Sequence, residues 1–514
     1  MLGTLIAFSC LWIIITLLQG PFQPKALRYQ HRQLKLWMLE ASLLAIPFLL
    51  MILVTQRILL ASLTTLALFV TPIIVNLAKY RALREPLVFS DFYLYIQVFT
   101  HPRLFLPFLN IPLTIAAIGS GALALILIIL FESTTRLPSI PTLGIITLAL
   151  IFIWKNSENY TPKHLAIDDV RRFGLYNSLL ISSLQAVKEN RKQNMYQRIL
   201  NNSPFQYLQT HSANQPDLLV IQSESFCDIR SLHPSIKADV LKHYDRICQQ
   251  ARTHGPLTVP AWGANTLRTE FAFLSGIDNA QLLHYRYNPY QFITRPMPTL
   301  ANQLKQQGYH TICVHPNHAE FFKRNKVYPL LGFDEFIDIH DFSDAHRDGP
   351  YISDQAVTDK LISLLNNRPS DKPLFIFVIT MENHGPLHLE TYQPKDVETF
   401  YSDTPPQQHH DLTIYLKHLN NADQMLNRIT EYLSNSAIEA HLCWYGDHVP
   451  SMPAVYDELG VQHLDSHYLI WNNRMTQPNL GSKASSQHGS IDDLGIKLLR
   501  DVTLTPNYVT LTPN

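Results

Sequence analysis

The chain of 514 residues carries 41 basic and 41 acidic side chains, for a formal net charge of zero. That balance gives no support to a nucleic-acid partner, which would require a basic patch or stripe. The length points to more than one domain, and the 46% of hydrophobic residues are crowded into the first third.

Five apolar runs stand there, roughly over residues 1–18, 37–56, 58–78, 104–131 and 137–154. Each approaches the ~20 residues needed to cross a ~30 Å hydrocarbon core. The first has neither the basic n-region nor the small-residue cleavage site of a signal peptide, and more apolar runs follow it. All five are expected to be membrane spans. Lys25, Arg28, Arg32 and Lys35 lie between the first and second runs, and Lys79, Arg81, Arg84 and Arg103 between the third and fourth. The other connections hold little beyond Arg57 and Arg136. By the positive-inside rule this pattern starts the chain outside and leaves its C-terminal two-thirds in the cytosol. Cys10, Cys227, Cys248, Cys313 and Cys443 show no CxxC spacing and assign no disulfide.

Residues 156–214 are polar, with a helical pattern around 173–187. After Pro216 the texture alternates. Apolar runs occur in "DLLVIQSESF" (217–226), "HTICVHPN" (310–317), "PLFIFVITMENHGP" (373–386) and "AHLCWYGDH" (440–448). Helical patterns over 297–307, 354–365 and 412–434 fall between them. Continuous apolar strands separated by helices predict an α/β domain, with a mostly parallel sheet covered by helices on both faces. The expected division is a transmembrane helical domain over 1–155, a helical linker over 156–214 and a catalytic domain over 215–514.

In open α/β sheets ligands bind beyond the carboxyl ends of the strands. Each apolar run here finishes in ionisable residues: Glu224, then His315, then His384, then Asp447 with His448. Two carboxylates and an imidazole (Glu224, Asp447, His448) suit a divalent ion such as Zn or Mn. No cysteine stands at a matching strand end, as a structural zinc site would need. The segment "GANTLRTEF" (263–271) offers Thr266, at an expected helix N-terminus where backbone N–H groups favour an anion, and Thr269 one turn later. A metal beside either hydroxyl lowers its pKa and makes it a nucleophile. Taken singly, the residues have plainer explanations: a capped aspartate in a turn, a dipole-satisfying acid at Glu224, a cap at Thr266, a hydrogen-bonded loop histidine at His384. Their arrival in strand order argues for an active site.

The stretches "ESF" (224–226), "TLRTEF" (266–271), "HPNHAEFFKRNKVY" (315–328), "ENHGP" (382–386) and "YGDH" (445–448) resemble the lipoteichoic acid synthase and phosphoglycerol transferase family. That family belongs to the alkaline phosphatase and sulfatase-like superfamily. The resemblance implies that Glu224, Thr266, Asp447 and His448 hold one divalent metal, Mn2+ first and Mg2+ or Zn2+ as alternatives, with Thr266 as nucleophile. It further implies that His315, Arg324 and His384 cradle the phosphoglycerol group. Phe322 stands where relatives usually carry Trp, which keeps an aromatic wall and removes an indole N–H. The implied reaction takes phosphoglycerol from phosphatidylglycerol onto Thr266 and then onto a glycan or polyglycerol-phosphate acceptor, with His384 as acid or base. The implied location is the bacterial cytoplasmic membrane with the catalytic domain outside, opposite to the charge count. Basic residues in an external amphipathic segment over 85–99, held by anionic lipid heads, would reconcile the two.

Three alternatives stand beside this expectation. A phosphoethanolamine transferase would differ in donor lipid. A sulfatase-like hydrolase would need a C/S-x-P-x-R segment, which is missing near Thr266, and an alkaline phosphatase would need a second ligand set, to which His488 could contribute. A non-catalytic, glycan-binding membrane scaffold is the alternative from another class.

Overall fold

The computed structural model describes residues 2–20, 23–29, 33–95, 111–135, 138–187, 190–206, 215–342, 347–368, 371–474 and 486–502. The chain divides into two compact units, Met1–Arg191 and Lys192–Asn514.

In the first unit, the helices Leu2–Gln19, Leu34–Thr55, Ile58–Leu83, Ile111–Phe131 and Ser139–Ser157 match the five expected spans. Each contains a stretch long and apolar enough to cross a membrane. Residues 104–110 and Leu137 of the expected spans, residues 96–99 of the amphipathic segment, and Arg32, Arg103 and Arg136 lie outside the described residues. Leu44, Phe48, Ile52, Phe69 and Ile73 pack in one cluster. Three sets of polar groups in and beside these helices are matched to one another, where hydrocarbon would offer no water to satisfy them. Glu40, fully buried, accepts from Gln19 Nε2 at 2.8 Å. Asn76 donates to Gln23 Oε1 at 2.9 Å and accepts from the Leu87 N–H at 2.7 Å. Lys79 lies 2.6 Å from Asp91 and 2.7 Å from Glu85, so one cation of the positive-inside count is neutralised locally. The helical pattern around 173–187 is two helices, Ala166–Phe173 and Leu175–Val187, because Gly174 at φ 82° turns the chain between them.

The second unit holds strands β1 (Asp217–Ser223), β2 (Thr253–Thr258), β3 (His310–Val314), β4 (Glu335–Ile337), β5 (Arg347–Asp348), β6 (Tyr351–Ile352), β7 (Leu374–Ile379), β8 (Ala440–Gly446), β9 (Ser466–Asn472) and β10 (Gly489–Ser490). Eight form one sheet in the order β10-β2-β9-β8-β1-β7-β3-β4, and β5 pairs with β6 as a separate hairpin. Pairing is parallel except along both edges of β9. The four strands expected from the sequence are the contiguous centre, β8-β1-β7-β3.

Those central strands are apolar on both sides because each side has its own core. Leu219 and Ile221 of β1, Ile376 and Val378 of β7, and Leu442 and Trp444 of β8 belong to one cluster. The alternate residues Leu218 and Val220, Phe375 and Phe377, and Cys443 and Tyr445 belong to the other. A two-residue side-chain period sends neighbours to opposite faces. Helices Asp354–Asn366 and His409–Ser434 cover the first face, and Thr266–Ser275, Leu300–Gln306 and Ile491–Asp501 the second. The sheet is therefore covered on both faces, as expected. The five cysteines are free.

Register then sets the site. Ser223 pairs with Gly446, so β1 and β8 end level and Glu224 follows beside Asp447. Gly446 is required at this junction: a Cβ there would collide with the Phe226 carbonyl oxygen and the Ser466 hydroxyl. Gly446→Ala should cost about 1–3 kcal/mol by overpacking, read as a lowered melting temperature. Loss of divalent-ion binding should accompany it, because Asp447 is the next residue.

Candidate active site

Asp447 is the hinge of the site. Its Oδ1 accepts the Ser225 N–H at 2.8 Å and the His448 N–H at 2.9 Å. Ser225 reaches this position in the left-handed region, at φ 55°, which is unusual for a residue with a side chain. Its hydroxyl donates to Glu224 Oε1 at 3.1 Å. His448 Nδ1 lies 3.1 Å from the Val449 carbonyl, so the ring carries its proton there and leaves Nε2 bare. After these bonds three buried atoms have no hydrogen-bond partner: Glu224 Oε2, Asp447 Oδ2 and His448 Nε2. The ligand atoms of the three residues lie within 4.8 Å of one another.

That donor set fits a divalent cation. Buried polar atoms are normally satisfied, and three bare lone pairs converging from two strand ends are what a cation requires. Burial, reinforced by the Asp447 carboxylate, pushes Glu224 up to about 8. Two carboxylates this close and this dry need a positive partner.

Thr266 is the first residue of the helix Thr266–Ser275, just after Asn265 in the left-handed region at φ 72°. It is 7% exposed, and its hydroxyl has no hydrogen bond among the described residues. Thr269 is different. It is completely buried, and its hydroxyl donates to the Asp447 carbonyl at 2.7 Å. Of the two hydroxyls weighed from the sequence, one is committed to holding the metal loop and the other is free.

Arg324 and His315 do not stand open. Arg324, 1% exposed, donates from Nε to Glu270 Oε2 at 3.1 Å and pairs through Nη2 with Glu270 Oε1. Tyr290 and Tyr328 each donate to the same carboxylate at 2.6 Å. Burial works against the Arg324 charge, but Glu270 more than offsets it and holds the guanidinium above its ordinary pKa. His315 Nδ1 faces the Ile379 carbonyl at 3.1 Å and its Nε2 faces Arg324 Nη1 at 3.2 Å, so both ring nitrogens are engaged. Burial, with Arg324 next in effect, lowers its pKa and keeps the ring neutral. Phe322, half-buried at φ 56°, places its ring 5.0 Å from the Arg324 guanidinium.

His384 lies in the half-buried turn after β7. Its Nδ1 is 2.7 Å from the Gly385 carbonyl and 3.2 Å from the Tyr351 hydroxyl. Nδ1 therefore holds the proton and Nε2 is the basic atom. Burial lowers its pKa, the Gly385 carbonyl raises it and the Asp447 charge raises it further, leaving it below the ordinary value. His488 is not among the residues whose ligand atoms meet here, and its Nε2 lies 2.7 Å from the Thr258 hydroxyl.

Sequence reasoning missed Ser225, Glu270 and Tyr351. Ser225 and Glu270 lie inside the motif stretches 224–226 and 266–271, and their signal was a polar residue in an otherwise apolar, buried setting. Tyr351 belongs to the β5–β6 hairpin, which has no periodicity of its own.

A family model described as Sulfatase matches residues 216–500. The capsular polysaccharide biosynthesis protein RkpI of Rhizobium meliloti (strain 1021) is 29% identical over 429 residues, which is 79% of this chain and 76% of that protein. Lipoteichoic acid synthase 1 of Bacillus subtilis (strain 168) is 24% identical over 162 residues, 30% of this chain and 23% of that one. Among solved structures, the integral membrane lipooligosaccharide phosphoethanolamine transferase A of Neisseria meningitidis aligns over 91% of this chain and 95% of its own, with a TM-score of 0.55 and 12% identity. That likeness concerns the fold, the apolar helices included.

Glu224→Gln, Asp447→Asn and His448→Gln should each weaken divalent-ion binding by 10-fold or more, on the order of the loss of one ligand or its support. Elemental analysis of the dialysed protein and titration calorimetry measure this. Thr269→Val should weaken it less, because Thr269 touches the loop and not the ligand atoms.

Proposed function

The chain belongs to the sulfatase family of alkaline phosphatase-like proteins, and on that premise we propose that it is a membrane-bound phosphotransferase that moves phosphoglycerol from phosphatidylglycerol to a glycan or polyglycerol-phosphate acceptor. One observation carries the proposal: three bare buried ligand atoms at the ends of β1 and β8. The free threonine hydroxyl at the start of a helix on the same motif set supplies the nucleophile. A bound divalent ion supplies the charge that lowers the hydroxyl's pKa and offsets the phosphate's. Mn2+ is the ion we favour, for a site of two carboxylates and one imidazole.

The chain's residues divide the work as follows. Thr266 Oγ1 attacks the phosphorus of the lipid phosphodiester, and the bond to the diacylglycerol oxygen breaks. The Thr266 proton passes to His384 Nε2 and on to the departing oxygen. In the second step the acceptor hydroxyl gives its proton to Nε2, attacks the phosphorus and displaces Thr266, which recovers the proton. A neutral His384 with a lowered pKa is suited to receive protons at neutral pH. Arg324 is neutralised by Glu270, so its contribution is a directed N–H beside the Phe322 wall more than net charge. His315 aims that guanidinium from beneath.

Location and acceptor follow the same reading. The catalytic unit works on the outer side of the bacterial cytoplasmic membrane, where it meets the donor lipid without extracting it. The name of the Rhizobium meliloti relative supports an envelope glycan as acceptor. Phosphoethanolamine transfer is the second reading, favoured by the full-length likeness to an enzyme of that name.

Incubated with the metal-loaded protein and phosphatidylglycerol vesicles, the peptide containing Thr266 should gain the mass of one phosphoglycerol group. Thr266→Ala should abolish the adduct while metal binding persists. An adduct formed from phosphatidylethanolamine instead establishes the second reading, and none from either lipid refutes transfer. A phosphatase reporter fused after Trp154 should be active outside the cytoplasm; activity confined to the cytosol would reverse the sidedness.

A further inference from the structure

Behind the turn that carries His384 lies a second buried ionic cluster that the proposed chemistry does not use. His418, on the long helix His409–Ser434, is completely buried. Its Nδ1 lies 2.9 Å from Glu382 Oε1, and its Nε2 lies 3.0 Å from Glu390 Oε2. These two glutamates bracket the segment 382–390, which contains His384, Gly385 and Pro386. A ring with a carboxylate on each nitrogen needs a proton on both. We propose that His418 is a positioning residue, an imidazolium that pins both ends of the segment bearing His384 and so holds the acid–base histidine in register with the metal-binding strand ends. The proposal rests on the role given to His384 above.

The surrounding groups favour a proton over a metal ion at this place. Asp348, Glu382 and His418 offer ligand atoms within 4.8 Å of one another, as an ion site would. Yet donors already occupy those oxygens. Asn421 Nδ2 donates to Glu382 Oε1 at 2.6 Å and to Asp348 Oδ2 at 2.9 Å. Lys417 Nζ donates to Asp348 Oδ1. The Asp354 N–H donates to Glu382 Oε2 at 2.6 Å. A divalent cation would have to displace an ammonium and an amide, and both ring nitrogens are spoken for. The groups facing His418 are thus Glu382 and Glu390 from the segment it pins, Asp348 from the hairpin, Asp354 from the helix Asp354–Asn366, and Lys417 and Asn421 from its own helix. Burial opposes the His418 charge, but the bonds to Glu382 and Glu390 outweigh it and push the group up to about 9. Burial, with the Glu382 carboxylate next in effect, raises the Asp354 pKa well above its ordinary value.

The same cluster seats Tyr351. Gly349 and Pro350 form the turn of the β5–β6 hairpin, and a Cβ on Gly349 would strike the Glu390 carboxylate, so the hairpin lies against the pinned segment. From that hairpin the Tyr351 hydroxyl reaches His384 Nδ1 and the Gly385 carbonyl, each at 3.2 Å. The imidazolium therefore acts on His384 from two directions: through the backbone of its segment and through the hairpin that sets its tautomer.

The test uses the full chain in detergent, loaded with Mn2+ for activity and with Zn2+, which is diamagnetic, for histidine-selective NMR. Among the 23 histidines, the His418 and His384 signals are assigned by their loss in His418→Gln and His384→Gln. His418 should report an imidazolium at pH 7.5 that loses its proton near pH 9, and the His384 ring signals should move in His418→Gln. The double variant His418→Gln/Glu390→Gln, which removes a cation and an anion together, controls for folding. With melting temperature and metal content close to wild type, it should turn over fluorescent phosphatidylglycerol with kcat reduced about 10- to 100-fold and KM little changed, as misplacement of a catalytic group predicts. The alkaline fall in activity near pH 9 should vanish with it. A neutral His418 at pH 7.5, an unmoved His384 signal, unchanged kcat in the folded double variant, or a second bound ion lost on His418→Gln would each overturn the proposal. The NMR readouts need no substrate, so failure of phosphatidylglycerol as donor refutes the transfer reading while leaving the His418 question decided.

Discussion

One oxygen of Asp447 organises the centre. By accepting the Ser225 and His448 N–H groups together, Asp447 Oδ1 ties the end of β1 to the end of β8. Everything else about the candidate metal site follows from this double acceptance. It turns the second oxygen inward with no partner, places the imidazole on the adjoining peptide and draws Glu224 to within reach through Ser225. Even Thr269, buried in the neighbouring helix, spends its hydroxyl on the Asp447 carbonyl. The hydrogen bonds are arranged to leave lone pairs empty. In a dry interior such vacancies destabilise a fold unless a cation fills them.

Around that centre the protein handles buried charge in three ways. At the strand ends, two carboxylates and an imidazole converge with bare atoms. Next to them, Glu270 neutralises Arg324 and gathers two tyrosine hydroxyls, while the remaining guanidinium nitrogen faces His315. On the opposite face of the sheet, His418 sits between two glutamates. In the third, donors fill the carboxylate oxygens of Glu382 and Asp348, while Glu390 Oε1 and Asp354 Oδ1 stay without a partner. The first differs in that three residues each bring a bare atom, and their ligand atoms lie within 4.8 Å of one another.

The apolar unit obeys the same accounting under harsher terms. Glu40 with Gln19, Asn76 with Gln23, and Lys79 with Asp91 are all matched inside or beside helices long enough to cross a bilayer. A lysine held by two acids contributes little net charge to the loop that contains it. A count of Lys and Arg along the chain therefore overstates the positive charge on that side.

Much of this was legible in the chain itself. Apolar runs of bilayer length marked the five helices, and unbroken apolar strands between amphipathic helices marked the centre of a sheet buried on two faces. Ionisable residues at the ends of those strands marked the edge where a site would form. Short-range pattern suffices for these features, because burial imposes a period along each segment separately. Strand β2, second from the edge of the sheet and interrupted by Gly255 and Pro256, and the hairpin β5–β6 carry no such period and escaped notice. Only the tertiary structure decided which polar groups are spent and which are spare: Thr269 bonded and Thr266 free, Arg324 and His315 engaged with each other, His418 held between two acids. Partners such as Glu270 with Arg324, or Glu382 with His418, are brought together by strand order and helix packing across 54 and 36 residues. No spacing along the sequence encodes a hydrogen bond of that kind, since its geometry exists only after both faces of the sheet have been covered.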